Sequence, residues 1–271
     1  MHFYTEIIIK LVCNVLNMEK LNFPKIPGKH KFVPLYSTAS MFKSMKAAVR
    51  SKGNAKAVVV YSNSLVKSFK ASYKLMEAKS LESIVNPLGI YEFGKGKLLV
   101  HMGIGAPMTA VAAEELIAAG VSEFLIIGTA GGLNASMKIG DFVLCTKALR
   151  DEGVSHHYLA NSRYVLPDRE LTARIGKIMK SNGISFRKGA TWTIDAPYME
   201  TVEEVKRYSK EGIATVEMEA AALFAVAKRR GVKVAALFTV SDILKVEGWS
   251  GFVKKKYQST YPELAKIAGV F

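Results

Sequence analysis

The sequence is poor in cysteine: only Cys13 and Cys145 occur in 271 residues, and neither stands in a CxxC pair. That spacing offers no disulfide framework and no thiolate zinc site, and it fits a reducing cytosol. Long apolar runs are also missing. None approaches the roughly 20 residues that span a bilayer, so no membrane partner is expected. The segment Ile7-Ile8-Ile9 with Leu11 and Val12 is interrupted by Glu6 and Lys10 and lacks a small-residue cleavage site, which argues against a signal peptide. Acidic residues are scarce beside basic ones, 23 against 38, giving a net charge of +15. Such an excess fits nucleic-acid contact, attraction of anionic substrates or a basic surface. The lysines are scattered and no nucleic-acid motif accompanies them, so a nucleic-acid partner is not expected. The GxGxxG dinucleotide pattern and the P-loop are absent too.

What is present is organised around Gly120 to Cys145. Phe124 to Ile127 predicts a buried strand, and Gly128-Thr129-Ala130-Gly131-Gly132 follows at once. A strand ending in small residues with free N–H groups can receive an anionic or sugar ligand; equally, a tight turn can need the glycines for its φ angles alone. A second glycine segment, Gly103-Ile104-Gly105-Ala106-Pro107, follows the strand expected at Lys97 to Met102 and opens an Ala-rich helix over 110–119. Close helix–sheet packing explains it as well as ligand binding does.

Along the chain, residues 1–17 look unlike the rest, and Met18 is an alternative start; the remainder, 18–271, reads as one α/β domain. Helical periodicity covers 40–51. Lys56 to Tyr61 predicts the first core strand, and Ser62 is placed to cap the helix after it. Ala148 to Tyr158, ALRDEGVSHHY, reads as a polar surface or pocket-rim loop; adjacent histidines such as His156 and His157 usually point apart, so no metal site is expected. Glu217-Met218-Glu219 stands where a strand becomes a helix that is apolar on nearly every side and therefore buried. Two acids there suit a helix first turn, but buried charge requires partners, which a ligand with paired hydroxyls would supply. Val232 to Val240 predicts a final strand with Asp242 at its tip, a common catalytic placement in α/β folds.

Together MGIGAP, IGTAGGLNASMKIGD, VEMEAAALFAVAKRRGV and FTVSD resemble the nucleoside phosphorylase superfamily, over about Lys56 to Asp242. ALRDEGVSHHYL and TIDAPYMET are most similar to its uridine phosphorylase branch. The resemblance implies a mixed central sheet flanked by helices. It also implies a cytoplasmic homo-oligomer, hexamer first, that cleaves a nucleoside with inorganic phosphate as co-substrate and no cofactor. Glu219 with Met218 matches the ribose-binding position, and Glu217 is the companion acid. Gly128, Thr129, Ala130 and Gly131, with Gly105, match the positions facing phosphate and sugar. Asp242 matches the acid that, in purine-active members, protonates the departing base.

The chain departs from the family where phosphate is held. The usual PGDP loop followed by arginine is replaced by Tyr61-Ser62-Asn63-Ser64 with Val66 and Lys67. Ile126 stands where a second arginine often precedes the glycine segment, and no third is evident around Asn86. Lys67, Arg150 or another basic side chain would substitute, or water is the nucleophile and the protein is a nucleosidase. A non-catalytic nucleoside-binding protein is the third alternative. The residues that read uracil have no match after Asp195, and Asp242 favours a purine.

Overall fold

A computed structural model describes residues 23–35, 38, 55–78, 89–94, 96–133 and 136–271. The expectations for residues 1–17 and for a helix over 40–51 lie outside these.

The elements, in chain order, are β1 (Ala55–Val60), α1 (Asn63–Ser72), β2 (Met76–Glu77), β3 (Gly89–Phe93), β4 (Lys97–His101), α2 (Ala106–Ala118), β5 (Val121–Gly132) and β6 (Phe142–Asp151). They continue with α3 (Ser155–Tyr158), β7 (Tyr164–Val165), α4 (Arg169–Ser181), β8 (Arg187–Ile194), α5 (Val202–Lys210), β9 (Ile213–Glu217) and α6 (Ala220–Arg230). Last come β10 (Lys233–Lys245), β11 (Gly248–Trp249), α7 (Lys254–Gln258) and α8 (Tyr261–Val270).

The strands form one mixed sheet in the order β11-β10-β6-β8-β9-β5-β1-β4-β3-β2, with β7 on β6. β10 also pairs with β5, so β10, β6, β8, β9 and β5 close into a ring. β5 is parallel to β1 and β10 and antiparallel to β9.

Alternation along the strands explains the two covered faces. Ala57, Val59, Phe124 and Ile126 face α2 and α6. Val58, Val60, Leu125 and Ile127 face α1, α4 and α8. Helix α6 is the most enclosed element: every residue from Ala220 to Ala227 is buried, as its unbroken apolar sequence requires. Lys228-Arg229-Arg230 suit its negative C-terminal end, and Gly231 ends it at φ 70°, a left-handed turn that favours glycine.

Four expectations are corrected by the fold. Gly128–Gly132 is no loop but the last part of β5, paired with β10 along its length and with β9 at Gly131 and Gly132. Here glycine serves close approach: a Cβ on Gly131 would lie 2.5 Å from Leu244 Cδ1, and one on Gly132 2.9 Å from Ile243 Cδ1. The polar segment at 148–158 is the end of β6 followed by the short α3, because β6 stays paired with β8 as far as Asp151↔Ile194. β10 runs on to Lys245, so Asp242 lies inside a strand, just past a register shift between Val240 and Asp242. Ser62 is extended at the start of α1, yet its hydroxyl pairs with Ser64 Oγ at 2.9 Å and caps no helix N–H.

Candidate active site

The site grows from the turn between β9 and α6. Glu217 ends β9, and its carboxylate bends back over the start of α6. Oε2 accepts the N–H groups of Glu219 at 2.8 Å and Ala220 at 2.7 Å. Oε1 accepts the hydroxyls of Thr193 at 2.6 Å and Thr191 at 3.4 Å. Thr193 Oγ1 in turn accepts the Ala221 N–H at 3.1 Å. Helix starts leave N–H groups without intrahelical partners, and here they lie in the core, where an unmade hydrogen bond is costly. Glu217 therefore acts as a buried helix cap. This revises its expected role as a ribose companion, since its oxygens are occupied within the protein.

Glu219 has a freer environment. Oε1 accepts the Gly105 N–H at 2.7 Å, and Oε2 takes a long contact of 3.3 Å from the Met218 N–H. Gly105 stands at φ 103° just before α2, where Pro107 fits the first turn. Its N–H is spent on Glu219 and is not free for phosphate, a correction to the expected anion loop. Burial, and next the Glu217 carboxyl, push Glu219 well above the ordinary carboxylate range. Tyr61, which continues β1, accepts the Thr109 hydroxyl at 3.1 Å. Burial and the neighbouring Glu219 push its phenol up.

Register carries this group across to Asp242. Tyr61 lies beside Gly128, whose Cβ would meet its ring at 3.8 Å. Three residues further along β5, Gly131 pairs with Val216 on one side and Asp242 on the other. At about 3.3 Å per residue this is roughly 10 Å of strand. Among Gly128 to Gly132 only Thr129 is partly exposed, while the Ala130 side chain belongs to the core. Asp242 is buried: Oδ1 accepts Ser241 Oγ at 2.5 Å and Oδ2 accepts the Trp249 indole N–H at 2.7 Å.

The segment after β8 touches both ends of this line. Asp195 lies close enough to raise Glu219 by its charge, and its Oδ2 accepts the Gly153 N–H at 2.8 Å. Glu200 lies near Asp242; burial first, then Asp242 and Glu204, push its carboxyl up to about 7. Between them Pro197–Met199 makes one 3₁₀ turn that leaves Tyr198 fully exposed. An aromatic ring free of protein contacts suits stacking on a flat base.

The proposed phosphate cations separate. Arg150 is buried and committed to structure: Nε donates to Ser155 Oγ at 2.8 Å, and Nη1 to the Ala160 carbonyl at 2.7 Å and to Ser162 Oγ at 2.7 Å. It fastens the chain around α3 and has no donor aimed at the β5 glycines, against its expected role. Lys67 remains an exposed cation in α1. At the start of that helix, hydroxyls gather instead of guanidiniums: Ser62, Ser64 and Tyr261, with Gln258 Nε2 donating to Ser64 Oγ at 3.3 Å. His156 pairs with the Arg150 carbonyl at 3.2 Å and His157 with Lys29 Nζ at 2.9 Å, and both rings meet the edge of Phe23. Among the described residues no group of His, Cys, Asp and Glu is arranged to hold a metal. Cys145 is a buried free thiol whose pKa is pushed up by burial.

Sequence reasoning missed Tyr61, Thr193, Glu200 and Trp249. Tyr61 and Glu200 stood inside segments already singled out, as the residues next to Ser62 and within TIDAPYMET. Thr193 and Trp249 gave no signal, since a strand threonine and a tryptophan after a turn are commonplace.

A sequence model described as the phosphorylase superfamily matches residues 66–268. A guanosine phosphorylase from Halorubrum lacusprofundi is 37% identical over 151 residues, 56% of this chain and 63% of that protein. DeoD-type purine nucleoside phosphorylases from Haemophilus ducreyi and Clostridium novyi are 30% identical over 198 residues and 29% over 182. These alignments span 72% and 66% of this chain, and 82% and 77% of the relatives. The matched span contains the β9–α6 acids, the β5 glycines and Asp242, and the chain belongs to the phosphorylase superfamily.

Proposed function

We propose that the protein is a purine nucleoside phosphorylase that converts a nucleoside and inorganic phosphate to free base and pentose 1-phosphate. The observation that carries this reading is the pairing of Gly131 in β5 with Val216 of β9, just before the Glu217-Met218-Glu219 turn, on one side and with Asp242 of β10 on the other. In this reading Glu219 accepts the ribose hydroxyls, which give its buried carboxylate the donors it lacks. Phosphate attacks the anomeric carbon from the Thr129 side, near the Ser62 and Ser64 hydroxyls, with Lys67 as the cation. The bond to the base breaks with its electrons leaving on the base, and Asp242 takes up a proton from solvent and gives it to the base nitrogen. Proton transfer from a positioned acid contributes about 10² to 10⁴ in rate.

The names of the relatives support purine over uracil, as does an acid at the base end. Cytoplasmic placement and a homo-oligomer, hexamer first, belong to the same proposal; among the described residues no helix is long and apolar enough to cross a membrane. A hydrolytic nucleosidase is the second reading, favoured by the commitment of Arg150 elsewhere. The test is base release from inosine, guanosine, adenosine and uridine, each with and without phosphate. Phosphate-dependent release of purines with formation of a sugar 1-phosphate is expected. Equal rates without phosphate would establish the nucleosidase, and preference for uridine would overturn the purine assignment.

A further inference from the structure

Both carboxylate oxygens of Asp242 are engaged: Ser241 Oγ donates to Oδ1 and the Trp249 indole N–H donates to Oδ2. A base that is to meet Asp242 at Oδ2 therefore finds the indole already there. At Oδ2 the indole has to move before a base can take its place.

The mobile partner is identified by its setting. Ser241 is buried within β10, next to Asp242 itself. Trp249 is 58% exposed, on a two-residue strand that meets β10 only at Leu244↔Trp249 and Lys245↔Gly248. Its ring contact is the edge of Phe252 at 5.0 Å, and Phe252 is itself 58% exposed. Gly248 at φ 139° and Gly251 at φ 71° bracket it in backbone conformations that side-chain-bearing residues rarely adopt. The hairpin is pinned independently of the ring, because Ser250 exchanges hydrogen bonds with Ile243 at 2.8 and 3.0 Å. The indole can therefore swing away while its strand stays in place. The chain holds an internal control for this comparison. Trp192 also donates its indole N–H to an aspartate, Asp151 Oδ2 at 2.8 Å, but it is fully buried and packed on Tyr208.

We propose that the Trp249 indole is a built-in competitor of the purine base for Asp242. An indole is a fused bicyclic aromatic whose five-membered ring carries an N–H. A purine that has just received a proton on its five-membered ring presents the same donor to the same oxygen. Trp249 holds Asp242 Oδ2 through its indole N–H at 2.7 Å. A nucleoside binds by displacing the ring, which frees Oδ2 to take up and pass on the proton. When the base product leaves, the indole returns. Trp249 thereby acts as a positioning residue and lowers the apparent affinity for base by the fraction of time it holds the site. This inference rests on the purine reading above.

The test combines a spectroscopic and a kinetic measurement. In the intact protein, acrylamide quenching of tryptophan fluorescence is followed as hypoxanthine is added. Trp192 is inaccessible, so the accessible emission belongs to Trp249. Quenching is expected to rise as hypoxanthine saturates the site, and the change is expected to be absent in Trp249→Phe. That variant keeps an aromatic ring without the N–H. Hypoxanthine is expected to inhibit it about tenfold more strongly, the scale of one hydrogen bond to a charged group, with KM for inosine falling more than kcat changes. If hypoxanthine instead protects Trp249 from quenching, or if the variant binds hypoxanthine no more tightly, the inference is overturned while inosine phosphorolysis still supports the purine reading. If inosine is not cleaved and hypoxanthine does not bind, the purine reading falls and this inference with it.

Discussion

Glu219 Oε1 and the Gly105 N–H lie 2.7 Å apart, although 114 residues separate them in sequence. This bond ties the turn before α6 to the turn before α2, two helices that pack side by side on one face of the sheet. It fixes the carboxylate that is proposed to meet ribose.

Glu219→Gln keeps an acceptor for Gly105 and removes the charge. We expect kcat/KM to fall about 10²- to 10³-fold, measured with inosine and saturating phosphate; full retention would remove Glu219 from the ribose site. The pH dependence of stability follows from its raised pKa. Above the ordinary value near 4.5, the unfolded carboxyl ionises readily while the folded one resists, so the empty protein loses stability as pH rises toward the folded pKa. The melting temperature of Glu219→Gln is expected to depend less on pH over that range.

Glu217→Ala should be chiefly a folding defect. It strands the N–H groups of Glu219 and Ala220 inside the core, at a cost of about 2–5 kcal/mol. Urea unfolding of this variant beside Glu219→Gln separates the cap from the ligand contact. Equal stability of the two proteins would contradict the capping role.

Phosphate binding distinguishes the two cations. Lys67→Ala is expected to raise KM for phosphate about tenfold, the scale of one charged hydrogen bond. Arg150→Lys is expected to lower the melting temperature, because a lysine cannot bridge Ser155, Ala160 and Ser162 at once. Its KM for phosphate should stay near that of the parent. A reversed pattern in steady-state kinetics would restore Arg150 to the phosphate site.

Glu200 titrates near 7, beside Asp242. The pH profile of kcat/KM for purine cleavage is expected to bend near that value. The bend should disappear in Glu200→Gln, which has no proton to lose. Glu200 also makes folding less favourable as pH rises from its ordinary 4.5 toward 7, so the same substitution should flatten that loss.

Much of this protein was legible before its fold was known. The apolar stretch from Ala220 to Ala227 demanded a buried helix, and Glu217-Met218-Glu219 marked its start. The alternation of strands and helices announced an α/β sheet. Other features depend on pairing between distant strands, which no local pattern records. Gly131 and Gly132 looked like a loop because the crowding by Leu244, Val216 and Ile243 comes from other strands. Asp242 looked like a strand tip because β10 continues only by virtue of β5 and β11. Arg150 looked available because the carbonyls that bind it lie on the chain that follows α3. The partition of labour between Glu217 and Glu219 was hidden for the same reason: Thr193 and Gly105 decide it.

The closed ring of β10, β6, β8, β9 and β5 means that each of these strands has a neighbour on both sides. No member can peel away as a sheet edge does. Amide hydrogens in its paired segments should therefore exchange with solvent only when the whole ring opens, whereas those of the short β11 hairpin exchange by local fraying. The floor under the site would then stay formed through every opening and closing above it.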